Sequence, residues 1–406
     1  MKITIITQYF WPEHFKVNDL SLEAEEKGHD IEVCTNLPNY PLGKYYDGYS
    51  LRGPYFEKWQ GIRIFRIPVI PRWRAGNLAL ALNYLSFLII SSFVFPFAYF
   101  FRHKTDIIFC WQTSPITSAI PAIIIKKLFK KPAVMWVQDL WPESLQATGV
   151  LNSPITLRIL TRVCNWIYNQ FDILFVQSKG FEKKLLERGI TSPMSYLPNW
   201  AEDYYAPIPR EQLKELDEAL PKGFRVLYAG NIGVAQGFDV LIEAAEHLRQ
   251  ENIQWIVLGA GRDLERVRGL IHQKGLEDHF HFLGRCPPMD VPRYLALVDG
   301  VVMMLKKSPT LSITIPGRFQ TYLACGVPVL ASLDGEVAQI LQESQAGLSS
   351  PAEDAAAFAT NIKSLLSMSS QQRQMMGSKG YNYYQKHFAK EPLVRRCFHT
   401  LENLIS

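Results

Sequence analysis

The sequence predicts an α/β protein built from two parallel-sheet domains. Short apolar runs of strand length alternate with segments of helical period along nearly the whole chain. The alternation runs twice, and a Pro-rich, charged stretch from Ala201 to Gly223 reads as the linker between the two series. The 406 residues exceed what one ordinary core supports. An apolar fraction of 48% with 20% charged residues excludes a disordered chain. The net charge of +5 is too small to argue for nucleic acid as a partner, and it fits a protein that meets an anionic membrane or phosphates.

The second series opens on Arg225 to Leu248. Val226 to Ala229 is a short apolar run that suits a buried parallel strand. Gly230, Gly233 and Gly237 follow, and then Val240, Leu241, Ala244, Ala245 and Leu248 recur at helical spacing. A strand, a glycine-rich turn and a helix form half of a nucleotide-binding βαβ unit. Glycine lets the backbone approach a diphosphate, and the N–H groups at the helix start face the anion. The alternative is an ordinary turn with glycine caps. No Gly-Lys-Ser/Thr follows, so this is not a Walker loop. The next strand, Trp255 to Leu258, ends in Gly259-Ala260-Gly261 instead of the acid that holds a dinucleotide ribose.

In chain order, Lys2 to Ile6 reads as the first strand, Val17 to Lys27 as a helix closed by Gly28, and Ile31 to Cys34 as the second strand. With no secretory signal ahead of the first strand, the cytoplasm is the expected location. Leu37 to Gly43, followed by Tyr45, Tyr46, Tyr49, Tyr55, Phe56 and Trp59, reads as a long aromatic loop carrying ligand contacts, or as a loop packed on its own domain. Ile62 to Ile70 is a third strand. Asp106 to Cys110, Ala133 to Val137 and Ile173 to Val176 continue the sheet. Gln138-Asp139-Leu140-Trp141-Pro142-Glu143 stands at a strand end, where carboxylates face the ligand crevice. The six cysteines form no CxxC pair, so neither a zinc site nor a disulfide framework is indicated. His279 and His281 alternate along a strand with no third ligand nearby and read as surface or interface residues, not metal ligands. Ser370 to Ile405 reads as helical and basic.

Asn77 to Phe101 carries no charge and is about long enough to cross ~30 Å of hydrocarbon. Arg72, Trp73 and Arg74 precede it, and Arg102, His103 and Lys104 follow. A spanning helix would put consecutive strands of one sheet on opposite sides of a bilayer. The segment is therefore expected to enter and leave on one side, as a hairpin broken near Ser91-Ser92 or Pro96, or as a buried helix pair. The basic flanks favour a monotopic membrane contact. Lys126, Lys127, Lys130 and Lys131 are expected over the same leaflet.

Several sequence words carry a resemblance over nearly the whole chain, in order. They are PNYPLGKYYDGY, QDLWPES, YLPNW, YAGNIGVAQGFDVLIEA, FLGR and IPGRFQTYLACGVPVLA. The chain resembles glycosyltransferase family 4 of the GT-B architecture, and in particular bacterial O-antigen and capsule N-acetyl-L-fucosamine transferases. The resemblance implies two Rossmann-like domains facing each other across a cleft. Residues 1–200 would bind the acceptor and carry the membrane segment 77–101, residues 201–384 would bind the nucleotide-sugar, and residues 385–406 would pack back on the first domain. It implies a retaining, metal-independent transfer from a UDP-sugar to a lipid-linked, undecaprenyl-type saccharide at the cytoplasmic face of the inner membrane. No cofactor, metal or nucleic acid is implied.

Residue roles follow with departures. Where the family places an arginine and a lysine on the diphosphate, this chain has Asn231 and Gln236. The diphosphate charge then falls to Arg318, supported by Gly230, Gly233, Gly317 and Arg285, with Thr321 standing where the family has its ribose-binding acid. Gln138 stands at the family's active-site histidine, and Glu13-His14-Phe15-Lys16 at its paired glycines. Lys16 is the expected second cation on the diphosphate, and Asp139 and Glu143 the expected acceptor contacts. Arg318, Asp139, Glu143 and Lys16 are thus the catalytic candidates. Two rival classes remain: a sugar-nucleotide epimerase of the same shape, and a non-catalytic, membrane-docked partner that kept the fold.

Overall fold

The computed structural model describes residues 1–73, 76–102, 105–147 and 153–405. Arg74, His103 and Lys104 lie outside the described residues. The chain divides into two compact units, Met1–Pro198 with Glu391–Ser406, and Asn199–Lys390.

The first unit runs β1 (Lys2–Ile6), α1 (Lys16–Glu26), β2 (Asp30–Asn36), β3 (Phe56–Trp59), β4 (Ile62–Ile67), α2 (Asn77–Arg102), β5 (Ile107–Gln112), α3 (Ile120–Phe129), β6 (Ala133–Val137), α4 (Glu143–Ala147), α5 (Pro154–Tyr168), β7 (Ile173–Val176), α6 (Lys179–Glu187) and β8 (Met194–Tyr196). The sheet order is β3-β4-β2-β1-β5-β6-β7-β8. Every pairing is parallel except β3 on β4. The antiparallel edge strand β3 falls inside the stretch expected to be loop. Its residues alternate between exposed and half-buried, the pattern of an edge with no core face. The central strands are apolar on both faces, because helices cover both sides of a parallel sheet.

α2 is one helix of 26 residues that runs through Pro96, where a hairpin or helix pair was expected. The sheet explains the difference. β4 and β5 lie in one parallel sheet, so the chain leaves β4 at one edge and must re-enter at the other. One pass of helix achieves this, whereas a hairpin would return the chain to the wrong edge. Phe87, Ser91, Phe95 and Tyr99 face inward at spacing four.

The second unit runs α7 (Lys214–Ala219), β9 (Phe224–Ala229), α8 (Phe238–His247), β10 (Ile253–Leu258), α9 (Leu264–Lys274), β11 (Phe280–Gly284), α10 (Val291–Leu295), β12 (Gly300–Met304), α11 (Pro309–Ser312), α12 (Gly317–Ala324), β13 (Val329–Ser332), α13 (Glu336–Ser344), β14 (Gly347–Ser350), α14 (Ala355–Ser367) and α15 (Ser370–His387). Its sheet is wholly parallel, in the order β11-β10-β9-β12-β13-β14. The stretch expected as linker is folded into this unit. Leu213 and Leu220 join its core, and Arg225 pairs with Asp217. The last helix, α16 (Lys390–Ile405), belongs to the first unit, where Phe398 packs 4.9 Å from the His29 ring.

The strand order reverses between β1 and β5 in one unit and between β9 and β12 in the other. Open α/β sheets bind ligands at such switch points, beyond the C-terminal strand ends. Those two edges are where the candidate site residues belong.

Candidate active site

In the second unit, the loops after β9, β10 and β11 are zipped together. Gly230 N–H donates to Leu258 O at 2.9 Å, Ile232 N–H to Ala260 O at 3.0 Å, and Gly259 N–H to Gly284 O at 2.7 Å. A Cβ on Gly259 would sit 1.9 Å from Gly230 O, at a φ of +151° closed to most side chains. The glycines after β10 are therefore spent on loop contact. Gly233 N–H donates to Gln236 Oε1 at 3.0 Å, so Gln236 closes its own turn. The N–H groups of Gly230 and Gly233, expected to cradle a diphosphate, face protein acceptors.

Arg318 stands in the first turn of α12 and reaches the β9 edge. Its Nη1 donates to Tyr228 Oη at 2.5 Å, and its guanidinium carbon lies 5.1 Å from the Tyr228 ring centroid. Tyr228 Oη in turn donates to Asn231 O at 2.5 Å. A Cβ on Gly230 would lie 3.3 Å from Arg318 Nη1. Burial opposes its charge, yet the Tyr228 and Tyr322 oxygens beside it hold the guanidinium above its ordinary pKa. Among the described residues no carboxylate pairs with Arg318. Thr321 Oγ1 donates to Arg318 O at 2.8 Å, and Gly317 opens the helix with no neighbour near its missing Cβ.

The two helix starts near this edge differ in sign. The first turn of α8 carries Asp239, held by Arg266, whereas the first turn of α12 has no acid and carries Arg318. An anion is favoured at a helix start that lacks a competing carboxylate. Lys306, two residues past β12, is a second cation that the sequence reading missed; it stands beside the start of α8, where its charge also acts on Asp239. Its N–H donates to Ala235 O at 3.0 Å, and its Cγ lies 3.4 Å from a Cβ built on Gly237. The signal was Lys306-Lys307 directly after a strand at the switch point. Arg285 follows β11 and is exposed.

In the first unit, Lys16 opens α1. Asp139 Oδ2 accepts from Ser114 N–H at 2.8 Å and Ser114 Oγ at 2.7 Å, and Trp141 Nε1 donates to the same Ser114 Oγ at 2.9 Å. Burial pushes the Asp139 carboxyl above the usual carboxylate range, against these two bonds. Glu143 pairs with Arg188 at 3.0 Å, and Arg188 also donates to Trp141 O at 2.6 Å. Both carboxylates thus brace the turn after β6. His281 Nε2 lies 2.7 Å from Gln254 Oε1, and His279 Nδ1 3.3 Å from Ile253 O, each on a neighbouring strand.

Glu13 is buried, and its Oε1 accepts from Asn39 N–H at 2.8 Å and Tyr40 N–H at 2.7 Å. Burial raises its pKa to about 7, against those two bonds and the Arg66 charge. The unfolded chain ionises near 4.5. The stabilisation from the protonated acid is therefore complete below 4.5 and is lost as pH rises toward 7. Glu13→Gln keeps an acceptor for both N–H groups without titrating. Melting curves should show wild type losing ground to Glu13→Gln between those pH values, with parallel behaviour above them.

The residues match two family models, "Glycosyl transferase 4-like domain" over 16–200 and "Glycosyl transferases group 1" over 210–383. A probable glycosyltransferase, WbjE of Pseudomonas aeruginosa, is 28% identical over 239 residues, 56% of this chain and 58% of the relative. The putative colanic acid biosynthesis glycosyl transferase WcaI of Escherichia coli K12 is 25% identical over 345 residues, 80% and 82% of the two chains. Sucrose-phosphate synthase of Thermosynechococcus elongatus shares the fold at a TM-score of 0.77 and 18% identity, over 99% of this chain and 98% of that one. HepE of Anabaena, solved with UDP-glucose, does so at 0.72 and 15%, over 99% and 100%. With one glycosyltransferase model on each parallel-sheet unit and the same fold in solved neighbours, this chain belongs to the GT-B glycosyltransferases of the group 1 and 4-like families.

Proposed function

We propose that the protein transfers a sugar from a UDP-sugar to a lipid-linked saccharide in surface polysaccharide synthesis, with retention and without a metal. The observation that carries this reading is Arg318: a cation that no carboxylate among the described residues pairs with, at the start of an acid-free helix turn on the switch point of the second unit. Lys306 stands at the same edge. A diphosphate leaving group gains charge toward the transition state, and fixed cations there lower the barrier. The polysaccharide setting is supported by the names of WcaI and of AmsK, an amylovoran biosynthesis glycosyltransferase of Erwinia amylovora. The UDP-sugar, and N-acetyl-L-fucosamine as the sugar, rest on the resemblance of the sequence words. GDP-mannose is the second reading, because a mycobacterial relative 27% identical over 184 residues is named as GDP-mannose-dependent.

Protection against thermal unfolding decides between donors. A UDP-sugar present at 100 times its dissociation constant adds about 2.7 kcal/mol of stability, and GDP-mannose at the same concentration adds far less. The reverse order would replace the UDP reading by the GDP one. Transfer should survive excess chelator, since side chains face the diphosphate. Strict dependence on magnesium or manganese, restored on re-addition, would contradict that role for Arg318. Transfer from any nucleotide-sugar excludes the non-catalytic partner.

The membrane side of the reading rests on the outer face of α2. Leu78–Phe101 is long and apolar enough to cross a membrane, but its two ends are tied to one sheet. Leu85, Ile89, Phe93 and Phe97 form an outward stripe at spacing four, with Phe93 75% exposed. α5 adds a face that sequence reading missed: exposed Ile155, Ile159, Val163 and Trp166, with Arg158 and Arg162 between them. Lys127 Nζ lies 5.4 Å from the Trp166 ring centroid, which sets α3 beside α5. Apolar stripes flanked by cations suit the interface of an anionic leaflet. Lys126 is committed elsewhere, donating to Gln170 O and Asp172 Oδ1, both at 2.7 Å.

A further inference from the structure

We infer that the switch point of the first unit holds a sugar phosphate, with Arg72 as its phosphate clasp. The inference rests on the glycosyltransferase reading and names the part of the acceptor that this edge takes.

Arg72 lies between the aromatic loop and the start of α2. Its guanidinium carbon stands 5.4, 5.3 and 5.0 Å from the ring centroids of Tyr9, Tyr40 and Tyr84. Its Nε donates to Asn83 Oδ1 at 3.2 Å, and its Nη2 donates to Tyr9 Oη. Among the described residues no carboxylate pairs with it. Asp139, the acid that helps raise the Tyr84 pKa after burial has done most of it, is held by Ser114. Three rings and two neutral oxygens orient the guanidinium and leave its charge unneutralised. A planar, oriented fork of this kind matches phosphate oxygens.

A second set of atoms at the same edge points to the sugar. Phe15 lies 5.1 Å from Tyr9, 5.7 Å from Tyr40 and 5.3 Å from Trp111, ring to ring, and Tyr40 is 39% exposed. Gln8 Nε2 donates to Asn83 Oδ1 at 2.9 Å, which joins it to Arg72 through one shared oxygen. Gln8 Oε1, Trp111 Nε1 and Gln112 Oε1 are buried and have no partner among the described residues. Buried polar atoms in a native fold are almost always paired. Two acceptors and one donor, beside the exposed Tyr40 ring and the half-buried Phe15 ring, are what sugar hydroxyls complete. Gln8 follows β1 and Trp111-Gln112 end β5, so the unpaired atoms flank the strand reversal itself.

The test is a titration of the full-length wild type, Arg72→Gln and Arg72→Lys with N-acetylglucosamine 1-phosphate, N-acetylglucosamine and inorganic phosphate. Flotation with phosphatidylglycerol vesicles runs in parallel. The sugar phosphate should bind wild type roughly tenfold tighter than N-acetylglucosamine, since a charge-assisted bond supplies that much. Arg72→Gln should remove the advantage, and Arg72→Lys should recover part of it. Trp111→Phe keeps the ring and should weaken both sugar ligands while leaving inorganic phosphate unchanged. Equal sugar-phosphate affinity in a folded Arg72→Gln protein would overturn the clasp. Arg72-dependent phosphate binding with no gain from the sugar would overturn the sugar half. An effect of Arg72→Gln on vesicle binding alone would assign Arg72 to lipid headgroups and overturn both. UDP binding is read separately: its absence in wild type counts against the transfer reading, and the Arg72 titrations still decide the clasp.

Discussion

Arg318→Ala is expected to lose UDP and UDP-sugar affinity by roughly tenfold or more and turnover by a larger factor. Asn231 is neutral, Gln236 closes its own turn, and the N–H groups of Gly230 and Gly233 face protein acceptors. Helix-start N–H groups offer only about half a charge, against about two on a nucleotide diphosphate. Arg318 and Lys306 supply the rest. A hydrogen bond to a charged group is worth roughly 1.5–3 kcal/mol, and its share grows as the leaving group gains charge. Arg318→Lys keeps the charge, loses the fork and should recover part of both quantities. A merely structural role would instead lower stability through Tyr228 and spare affinity in the surviving folded fraction. Calorimetry with UDP and initial rates for the three forms separate these outcomes. Unchanged affinity and turnover in folded Arg318→Ala would move the search to Lys306.

Replacing Leu85, Ile89, Phe93 and Phe97 together with serine should release the protein from anionic vesicles without unfolding it. All four point away from the first unit's core. Each contributes up to roughly 1.5–3 kcal/mol when fully buried, so losing four removes most of the insertion energy. Phe87 is the control from the same helix. It is 0% exposed, and Phe87→Ser should lower the melting temperature by opening a cavity. Unchanged flotation of the quadruple variant would assign the stripe to a protein partner. High salt should weaken vesicle binding only in part, because apolar insertion is not screened while the Arg158 and Arg162 contribution is.

Much of this was readable before any coordinates. The alternation of strand runs and helical periods reports sheet burial directly, because a parallel strand is apolar on both faces. Gly230 to Gly237 marked the turn after β9, and the arginine opening the YLACG helix marked the cation that reaches that turn. Side-chain commitments were not readable. Asp139 and Glu143 stand at a strand end, as ligand-facing acids do, but Ser114 and Arg188 claim them, from 25 and 45 residues away in sequence. Arg72 read as a basic flank of an apolar segment, and only the approach of Tyr9, Tyr40 and Tyr84 shows it as an oriented cation.

The apolar segment shows where the two kinds of information divide. Composition determined that Asn77 to Phe101 is a long, uncharged helix former with cationic flanks. Whether it runs as one pass or folds back was decided by the pairing of strands far apart in sequence. Local propensity sets what an element is, because it depends on neighbours within a few residues. Where its faces point depends on which edge of the sheet the chain must next enter, and that is a property of the whole parallel sheet.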